Sequence, residues 1–169
     1  MNRSISIMMG SPRDYPVMAS TTKTLDEIGV PYEVFVASAH KTPERTRKYV
    51  EKLWDRNIGA VICGAGAAAH LAGVVAAEFP GPVIAVPIAA TELAGVDAML
   101  AMVQMPSGVP VATVAIGHEG AENAAILAAQ CLAIDAPEVK ARIETLRAKQ
   151  NNDAPTHTPP SPAYPAPQH

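Results

Sequence analysis

Short runs of aliphatic and β-branched residues alternate along this chain with longer segments of helical periodicity. The predicted strands cover residues 4–9, 32–38, 59–66, 82–88 and 111–117. They lack the period-two alternation of half-exposed strands, which is typical of parallel strands buried on both faces. The sequence therefore predicts an α/β fold, a three-layer α/β/α sandwich with a central parallel sheet. Ligands in such folds bind at the carboxyl ends of the strands, near a switch point in strand order.

Helices are predicted for the segments between these strands. The expected ranges are 14–29, 42–57, 68–79, 121–134 and 137–150, with a further short helix inside residues 95–110. Gly29 is a stop signal for the first helix. Thr42 and Pro43 are the residue types expected at an N-cap and at the first helical position.

The last part of the chain differs from the rest in composition. Residues 151–169 are rich in proline and contain no aliphatic residue larger than alanine. Such a segment cannot bury enough apolar surface to offset the entropy lost on ordering. We therefore expect one domain over residues 1–150, an ordinary size for a domain with its own core, and a disordered tail over residues 151–169.

Charge and hydropathy argue against several function classes. The formal net charge is −3 at pH 7, and no long basic run offers a surface for a nucleic-acid backbone. Gly and Pro interrupt the longest apolar runs, so neither a signal peptide nor a membrane span is predicted. Cys63 and Cys131 stand alone in apolar surroundings, which is typical of buried, reduced thiols in a cytoplasmic protein.

Three loops follow the first three predicted strands and contain most of the polar residues suited to chemistry. They read MGSPRD (9–14), SAHKT (38–42) and GAGAAAH (64–70). Because neighbouring parallel strands end at one edge of the sheet, we expect these loops to converge on one site. The candidate polar residues are Ser11, Arg13, Asp14, Ser38, His40, Lys41 and His70.

The residue types suggest how these loops could bind a ligand. Ser11 stands before a helix, where backbone amides and a hydroxyl commonly bind anions. Asp14 is suited equally to capping its helix and to accepting hydrogen bonds from sugar hydroxyls. Arg13, Ser38 and Lys41 would form a compact phosphate site, although either cation alone is typical of ordinary solvated surface.

His40 and His70 are the candidates for proton transfer, because imidazole titrates near neutral pH. A lone histidine is more often structural, but two histidines on converging loops favour a catalytic role. No HxH, HExxH or Cys/His cluster is present, so no metal site is predicted. The Gly- and Ala-rich third loop fits either a binding loop, where a ligand approaches the backbone, or tight packing.

These stretches resemble a known family. MGSPRD, SAHKTPE, CGAGAAAHLAG and GVDAMLAMVQMPSGVPVATVAIG are similar, in order and spacing, to the class I N5-carboxyaminoimidazole ribonucleotide mutases of purine biosynthesis. The resemblance covers about residues 4–150. It implies a flavodoxin-like sandwich, a homo-octamer and a reaction without a cofactor. In that reaction a carboxylate moves from the exocyclic nitrogen to ring carbon 4 of an aminoimidazole ribonucleotide.

The resemblance also implies roles for the candidate residues. His40 would transfer the proton, and His70 would support the pocket wall. The positions that match nucleotide or phosphate contacts are Ser11, Asp14, Ser38 and Lys41. The wall, where carbon dioxide would be released and recaptured, would be formed by Gly64, Ala65, Gly66, Ala67 and Leu71.

The sequence departs from the family pattern within these loops. Arg13 replaces the second serine of MGSxSD, and Lys41 replaces the arginine of SAHRT, a change more typical of the class II branch that uses carbon dioxide directly. Ala67 and Ala72 replace the Gly and Pro of GAGGAAHLPG, and the added methyl at Ala67 could crowd a carboxylate. The two cations fit either a compensating pair or a paralogue acting on a related ribonucleotide.

Three functions therefore stay open. The mutase is the first, and a carboxylase or decarboxylase acting on the same or a similar ribonucleotide is the second. The third is a non-catalytic nucleotide-binding module, which the presence of Asp14, His40 and His70 disfavours. The alanine-rich segments 68–79 and 121–134 carry more apolar surface than one small sandwich needs to hide, which favours an oligomer.

Overall fold

The computed structural model describes residues 3–153. Its strands are β1 (Ser4–Met9), β2 (Tyr32–Val36), β3 (Ile58–Gly66), β4 (Val83–Ile88) and β5 (Ala112–Thr113). They form one five-stranded sheet in the order β2-β1-β3-β4-β5, with every pair parallel. This is the flavodoxin-like order, and it confirms the predicted fold class.

Helices cover both faces of the sheet. They are α1 (Tyr15–Ile28), α2 (Pro43–Val50), α3 (Leu71–Glu78), α4 (Val96–Val103), α5 (His118–Ala133) and α6 (Pro137–Asp153). Buried residues of α1, α5 and α6 pack on one face of the sheet, and those of α2, α3 and α4 pack on the other. The central strands β1, β3 and β4 are buried between the two layers, as their continuous apolar runs predict, whereas the edge strands β2 and β5 are partly exposed.

Alanine lets α5 pack closely against its neighbours. Five alanines of this helix are fully buried: Ala121, Ala124, Ala125, Ala128 and Ala129. The hydroxyl of Thr21 on α1 donates to the carbonyl of Ala121 at 2.9 Å, which ties the two helices together. The predicted excess of apolar surface on α5 is therefore used inside the chain.

The fifth strand is much shorter than the predicted segment 111–117. Gly117 N donates to the carbonyl of Pro87 at 2.9 Å, so the backbone nitrogen and carbonyl of Pro87 both face the segment that continues β5. Proline has no N–H to donate back. Regular pairing therefore ends after Thr113, and the chain continues beside β4 through single hydrogen bonds.

The second helix also ends earlier than predicted, at Val50. Lys52 N donates to Tyr49 O and Leu53 N to Val50 O, so bonds between residues three apart replace those of an α-helix. Residues 51–57 therefore form turns, which end at Asn57 with a φ of 63°. Gly29, with a φ of 70°, ends α1 as predicted.

Several other predictions concern the ends of the chain and the cysteines. Helix α6 continues through Asp153, three residues into the predicted tail, and residues 154–169 lie outside the described part. Within residues 3–153 no helix is long and apolar enough to cross a membrane. Cys63 is buried, and burial raises the pKa of its thiol. Cys131 is only partly buried, so the prediction of two buried thiols was wrong for it.

The close approach of α5 to the segment before it makes one glycine irreplaceable. A Cβ on Gly120 would lie 1.7 Å from the carbonyl oxygen of Ala115, whereas a Cβ on Gly73 would meet only Met105 at 3.4 Å. We expect Gly120→Ala to lower the free energy of unfolding by about 1–3 kcal/mol or more through overpacking. Gly73→Ala is the control, and we expect it to leave stability unchanged or to raise it by up to about 1 kcal/mol. Urea unfolding followed by circular dichroism measures both, and equal effects would contradict the packing argument.

Candidate active site

The carboxyl ends of β1, β2 and β3 meet at one edge of the sheet. Met9 lies opposite Val36 on β2 and opposite Gly64 on β3. The loops that follow surround a cleft of about 170 Å³. Its lining residues are Gly10, Ser11, Asp14, Ser38, Ala39, His40, Ala65, Gly66, Ala68, His70, Leu71 and Ala90.

A reciprocal pair of hydrogen bonds shapes the first loop. The Asp14 carboxylate accepts from the backbone N–H of Ser11 at 2.9 Å, and the Ser11 hydroxyl accepts from Arg13 N at 3.2 Å. These bonds form a capping box over the short 3-10 turn Pro12–Asp14, which leads into α1. The other carboxylate oxygen of Asp14 has no hydrogen bond within residues 3–153, so Asp14 both caps the turn and presents an acceptor to the cleft.

Asp14 is nearly buried, with 9% of its surface exposed. Desolvation raises the pKa of its carboxyl above the ordinary value, and the hydrogen bond from Ser11 opposes this shift. A carboxylate that is short of hydrogen bonds in a small cleft is suited to accepting them from ligand hydroxyls.

Ser38 closes the second loop. Its hydroxyl accepts from Lys41 N at 3.2 Å, and its carbonyl accepts from Thr42 N at 2.9 Å. Thr42 precedes α2 as predicted, but its side chain makes no capping bond to that helix. It bonds instead to the backbone of Ser38. Thr42 is therefore at the predicted N-cap position, but its side chain makes no capping hydrogen bond.

The two histidines contact each other across the cleft. His40 Nε2 lies 2.8 Å from His70 Nδ1, with the ring planes at 82°. Two neutral imidazoles can form this bond only if one donates and the other accepts. The tautomer of one ring therefore fixes the tautomer of the other. Such a pair can give a proton to a ligand, or take one from it, while the second ring keeps the first in place.

Close packing explains the glycines of the third loop. A Cβ on Gly64 would lie 2.4 Å from the sulfur of Met18, and one on Gly66 would lie 2.5 Å from Ala90 Cβ. Hydrogen bonds of 2.8 Å between residues two apart, Ala69 N to Ala67 O and His70 N to Ala68 O, then fold the loop tightly. The Gly- and Ala-rich third loop therefore packs tightly and also forms part of the cleft wall, so its two interpretations are not exclusive.

Ala67 adopts a backbone conformation that alanine rarely takes. Its φ is 54°, in the left-handed region where the Cβ of an L-residue costs about 1–2 kcal/mol. This is the position where the family pattern has glycine. The methyl of Ala67 does not line the cleft, so the expected crowding of a carboxylate is not seen in its lining.

The structure brings together most, but not all, of the predicted residues. Those that line the cleft are Ser11, Asp14, Ser38, His40, Ala65, Gly66, His70 and Leu71. Arg13, Lys41, Gly64 and Ala67 do not line it, and the first two are exposed beside it. The lining contains a carboxylate but no Lys or Arg, so a ligand with several negative charges would need the neighbouring cations.

Four residues that line the cleft are not among the predicted site residues: Gly10, Ala39, Ala68 and Ala90. Alanine carries no chemical signal, but strand order would have found Ala90, because it follows β4 and β4 lies beside β3. Within residues 3–153 no group of three or more His, Cys, Asp or Glu could hold a metal ion.

A larger cavity, of about 860 Å³, lies at the opposite edge of the sheet. It is bordered by segments at the amino ends of the strands and by the start of α6, for example Val30, Gly59, Pro82 and Arg142. None of the predicted site residues lines it. The smaller cleft is the better candidate, since parallel α/β sheets bind ligands at the carboxyl ends of their strands.

Comparison with known proteins decides the family. The AIR carboxylase family model matches residues 4–153. The chain belongs to this family. It is 50% identical over 139 residues to the N5-carboxyaminoimidazole ribonucleotide mutase of Pyrococcus horikoshii, covering 82% of this chain and 77% of the relative. It is 45% identical over 150 residues to that of Pseudomonas aeruginosa, covering 89% and 92%.

Two solved structures share the fold. Treponema denticola PurE superposes with a TM-score of 0.79 at 29% identity, over 89% of this chain and 92% of that one. A point variant of Treponema denticola PurE2 gives a TM-score of 0.81 at 26% identity, over 90% of this chain and 93% of that one.

Burial of Asp14 makes a prediction about stability and pH. Because its pKa is raised in the folded chain, the ionised carboxylate lowers stability once the pH exceeds its ordinary value of 3.8. We therefore expect Asp14→Asn, which stays neutral and keeps an acceptor for Ser11, to be more stable than the parent at pH 7. The gain should shrink as the pH falls towards 4.

Urea unfolding at a series of pH values measures this difference. Asp55→Asn is the control, because the Asp55 side chain is exposed and its carboxylate is not desolvated by burial. A loss of stability in Asp14→Asn that grows as the pH rises above about 4 would show that the hydrogen bond from Ser11 outweighs desolvation.

Proposed function

We propose that the chain is an N5-carboxyaminoimidazole ribonucleotide mutase, an isomerase of purine biosynthesis. The observation that carries the proposal is the hydrogen-bonded pair His40–His70 in a small cleft at the carboxyl edge of the sheet. Relatives named for this activity are 45–50% identical to the chain over most of its length. A non-catalytic binding module would have no need of such a pair.

The reaction requires two proton transfers that cancel. Protonation of the exocyclic nitrogen breaks its bond to the carboxylate carbon and releases carbon dioxide inside the cleft. Ring carbon 4 then attacks the carbon dioxide to form a carbon–carbon bond, and loss of the carbon 4 proton restores the aromatic ring. One imidazole can give the first proton and take the second, so the enzyme ends in its starting state.

His40 is the proton-transfer residue in this proposal, and His70 holds it. The bond of 2.8 Å between them orients the His40 ring and couples the two tautomers. His40 is exposed on its loop, so the bond to His70 restricts a ring that would otherwise rotate. Orientation of this kind makes a large contribution to catalysis.

The remaining cleft residues are proposed to bind the ribonucleotide. Ser11 and the free oxygen of Asp14 face hydroxyl groups of the ribose, and Ser38 with the cations Arg13 and Lys41 binds the phosphate. The carboxylate and the transient carbon dioxide lie against the wall formed by Ala65, Gly66 and Leu71, whereas Gly64 and Ala67 belong to the same loop without lining the cleft. The absence of a cation from the cleft lining supports a phosphate position towards the exposed cations.

Replacing His40 tests the proton-transfer role. We expect His40→Asn to lower turnover by about 10²–10⁴-fold, with nucleotide binding kept within about tenfold, because a general acid-base group is lost. Turnover is measured with the N-carboxylated ribonucleotide and binding by titration calorimetry. His118→Asn, which changes an exposed histidine on α5, is the control. Near-normal turnover of His40→Asn would contradict the assignment.

The same assay separates the mutase from a carboxylase. A mutase consumes the N-carboxylated ribonucleotide and gives no product from the uncarboxylated one with bicarbonate. The reverse preference would favour the carboxylase, and Lys41 is a residue more typical of that branch.

A binding cycle tests the two cations. If Arg13 and Lys41 share one phosphate, Arg13→Ser should weaken ribonucleotide binding by about ten- to a hundredfold, or about 1.5–3 kcal/mol. Lys41→Arg should partly restore the affinity in the double variant, because guanidinium binds phosphate at two points. Lys23→Ser removes an exposed cation from α1 and is the control. Strict additivity together with a negligible Arg13 effect would contradict a shared phosphate.

We further propose that the enzyme is a cytoplasmic homo-octamer. The resemblance implies the octamer, and exposed apolar residues on and before α4 support an association surface: Leu93, Val96, Leu100 and Val103. Their spacing places the three on α4 along one side of the helix. A patch of this kind on a soluble chain marks a contact with another chain.

Sedimentation velocity tests the association surface. Leu100 and Val34 are similarly exposed, at 48% and 43%, but Val34 lies on the edge strand β2, away from α4. We expect Leu100→Glu to dissociate the oligomer, because it buries an unpaired charge, and Val34→Glu to leave it intact. A monomeric parent protein at micromolar concentration would refute the octamer.

A further inference from the structure

We propose that Thr42 is a positioning residue for His40. The Thr42 hydroxyl accepts a hydrogen bond from Ser38 N at 3.0 Å and donates one to Ser38 O at 3.0 Å. The backbone N–H of Thr42 donates to the same carbonyl at 2.9 Å. One residue therefore binds both backbone groups of Ser38 and closes residues 38–42 into a ring, with His40 in its middle.

The hydroxyl serves the loop although it stands at a helix start. Thr42 precedes α2, where its side chain would ordinarily accept from an N–H of the first helical turn. It makes no such bond. Pro43, the first residue of α2, has no N–H, which reduces the number of donors that need a cap. The Thr42 hydroxyl thus stabilises loop 38–42 and does not cap the start of α2.

A second threonine, Thr46 on α2, also contacts the loop through its hydroxyl. The Thr46 hydroxyl lies 3.1 Å from Thr42 O and 3.4 Å from Ser38 O, and Thr46 is fully buried. The carbonyl of Ser38 thereby accepts from the backbone N–H and the hydroxyl of Thr42, the residue before α2, and lies within reach of the Thr46 hydroxyl on α2. Loop 38–42 is fixed to the first turn of α2 and cannot shift without breaking several hydrogen bonds.

The hydrogen-bonded closure of residues 38–42 matters because the His40 side chain has few other contacts. The hydrogen bond to His70 is the sole side-chain hydrogen bond that His40 makes within residues 3–153. The position of the His40 imidazole therefore depends on that bond and on the backbone of loop 38–42. A displacement of about 1 Å can lower a reaction rate about 10²-fold. This inference rests on the proposed proton-transfer role of His40.

Two substitutions in the full chain test the role of the hydroxyl. Thr42→Val keeps the branched shape and removes the hydroxyl, and Thr42→Ser restores it. We expect kcat of Thr42→Val to fall about 10- to 100-fold, with little change in KM, because proton transfer and not substrate contact is impaired. Proton transfer should then limit the rate, so the solvent isotope effect on kcat should increase. Thr42→Ser should return both quantities close to the parent values.

A matched control separates positioning from stability. Thr21→Val removes a fully buried hydroxyl that bonds to Ala121 O between α1 and α5. We expect it to lower the melting temperature without changing the solvent isotope effect. If Thr42→Val changes kcat no more than Thr21→Val does, or if the serine variant fails to restore it, the positioning role is wrong.

A readout without turnover keeps the test independent of the proposed reaction. Diethyl pyrocarbonate modifies exposed imidazoles, and mass spectrometry gives the rate at each histidine. We expect His40 to be modified several times faster in Thr42→Val than in the parent, with His118 unchanged. An unchanged rate at His40 overturns the positioning role. If the parent lacks mutase turnover but His40 reacts faster in the variant, the proposed function fails and the positioning role stands. If Thr42→Val does not fold, Thr42→Ala takes its place in the same measurements.

Discussion

Strand β1 pairs in parallel with β2 on one side and with β3 on the other, so that Met9 lies opposite both Val36 and Gly64. This register determines where three segments of the chain leave the sheet. All three leave at the same edge, and His40 and His70 reach each other from loops of only a few residues. A shift of one residue in either pairing would turn the buried side chains to the opposite face, so core packing protects the geometry of the cleft.

The parts of the fold that depend on local sequence could be predicted. The first strand has the predicted bounds because its apolar run ends at Gly10. The fifth strand could not be predicted, since it is shortened by Pro87, which stands on the neighbouring strand β4. In the same way, the residue type of Thr42 indicates a helix cap, but the closure of the preceding loop decides which partner its hydroxyl takes. The sequence places Arg13 beside the site without fixing where its side chain points.

Two features that lower stability lie in the loops around the cleft. Asp14 holds a desolvated carboxylate, and Ala67 holds a left-handed backbone. Local rules of sequence and structure are typically broken where a ligand binds. The surrounding sheet, buried on both faces by aliphatic residues, keeps these conformations in place. The most stable arrangement of each loop taken alone is therefore not the one that the folded chain adopts.

The methyl group of Ala67 has a thermal consequence. Glycine at this position would reach many backbone conformations, whereas alanine reaches few, and the difference in entropy is multiplied by the absolute temperature. Once folding has placed Ala67 at a φ of 54°, the alternatives open to the loop are limited. The strain of this conformation opposes that entropic gain, so the loop keeps its shape only while the packed sheet holds it, and heating that loosens the sheet also releases the wall.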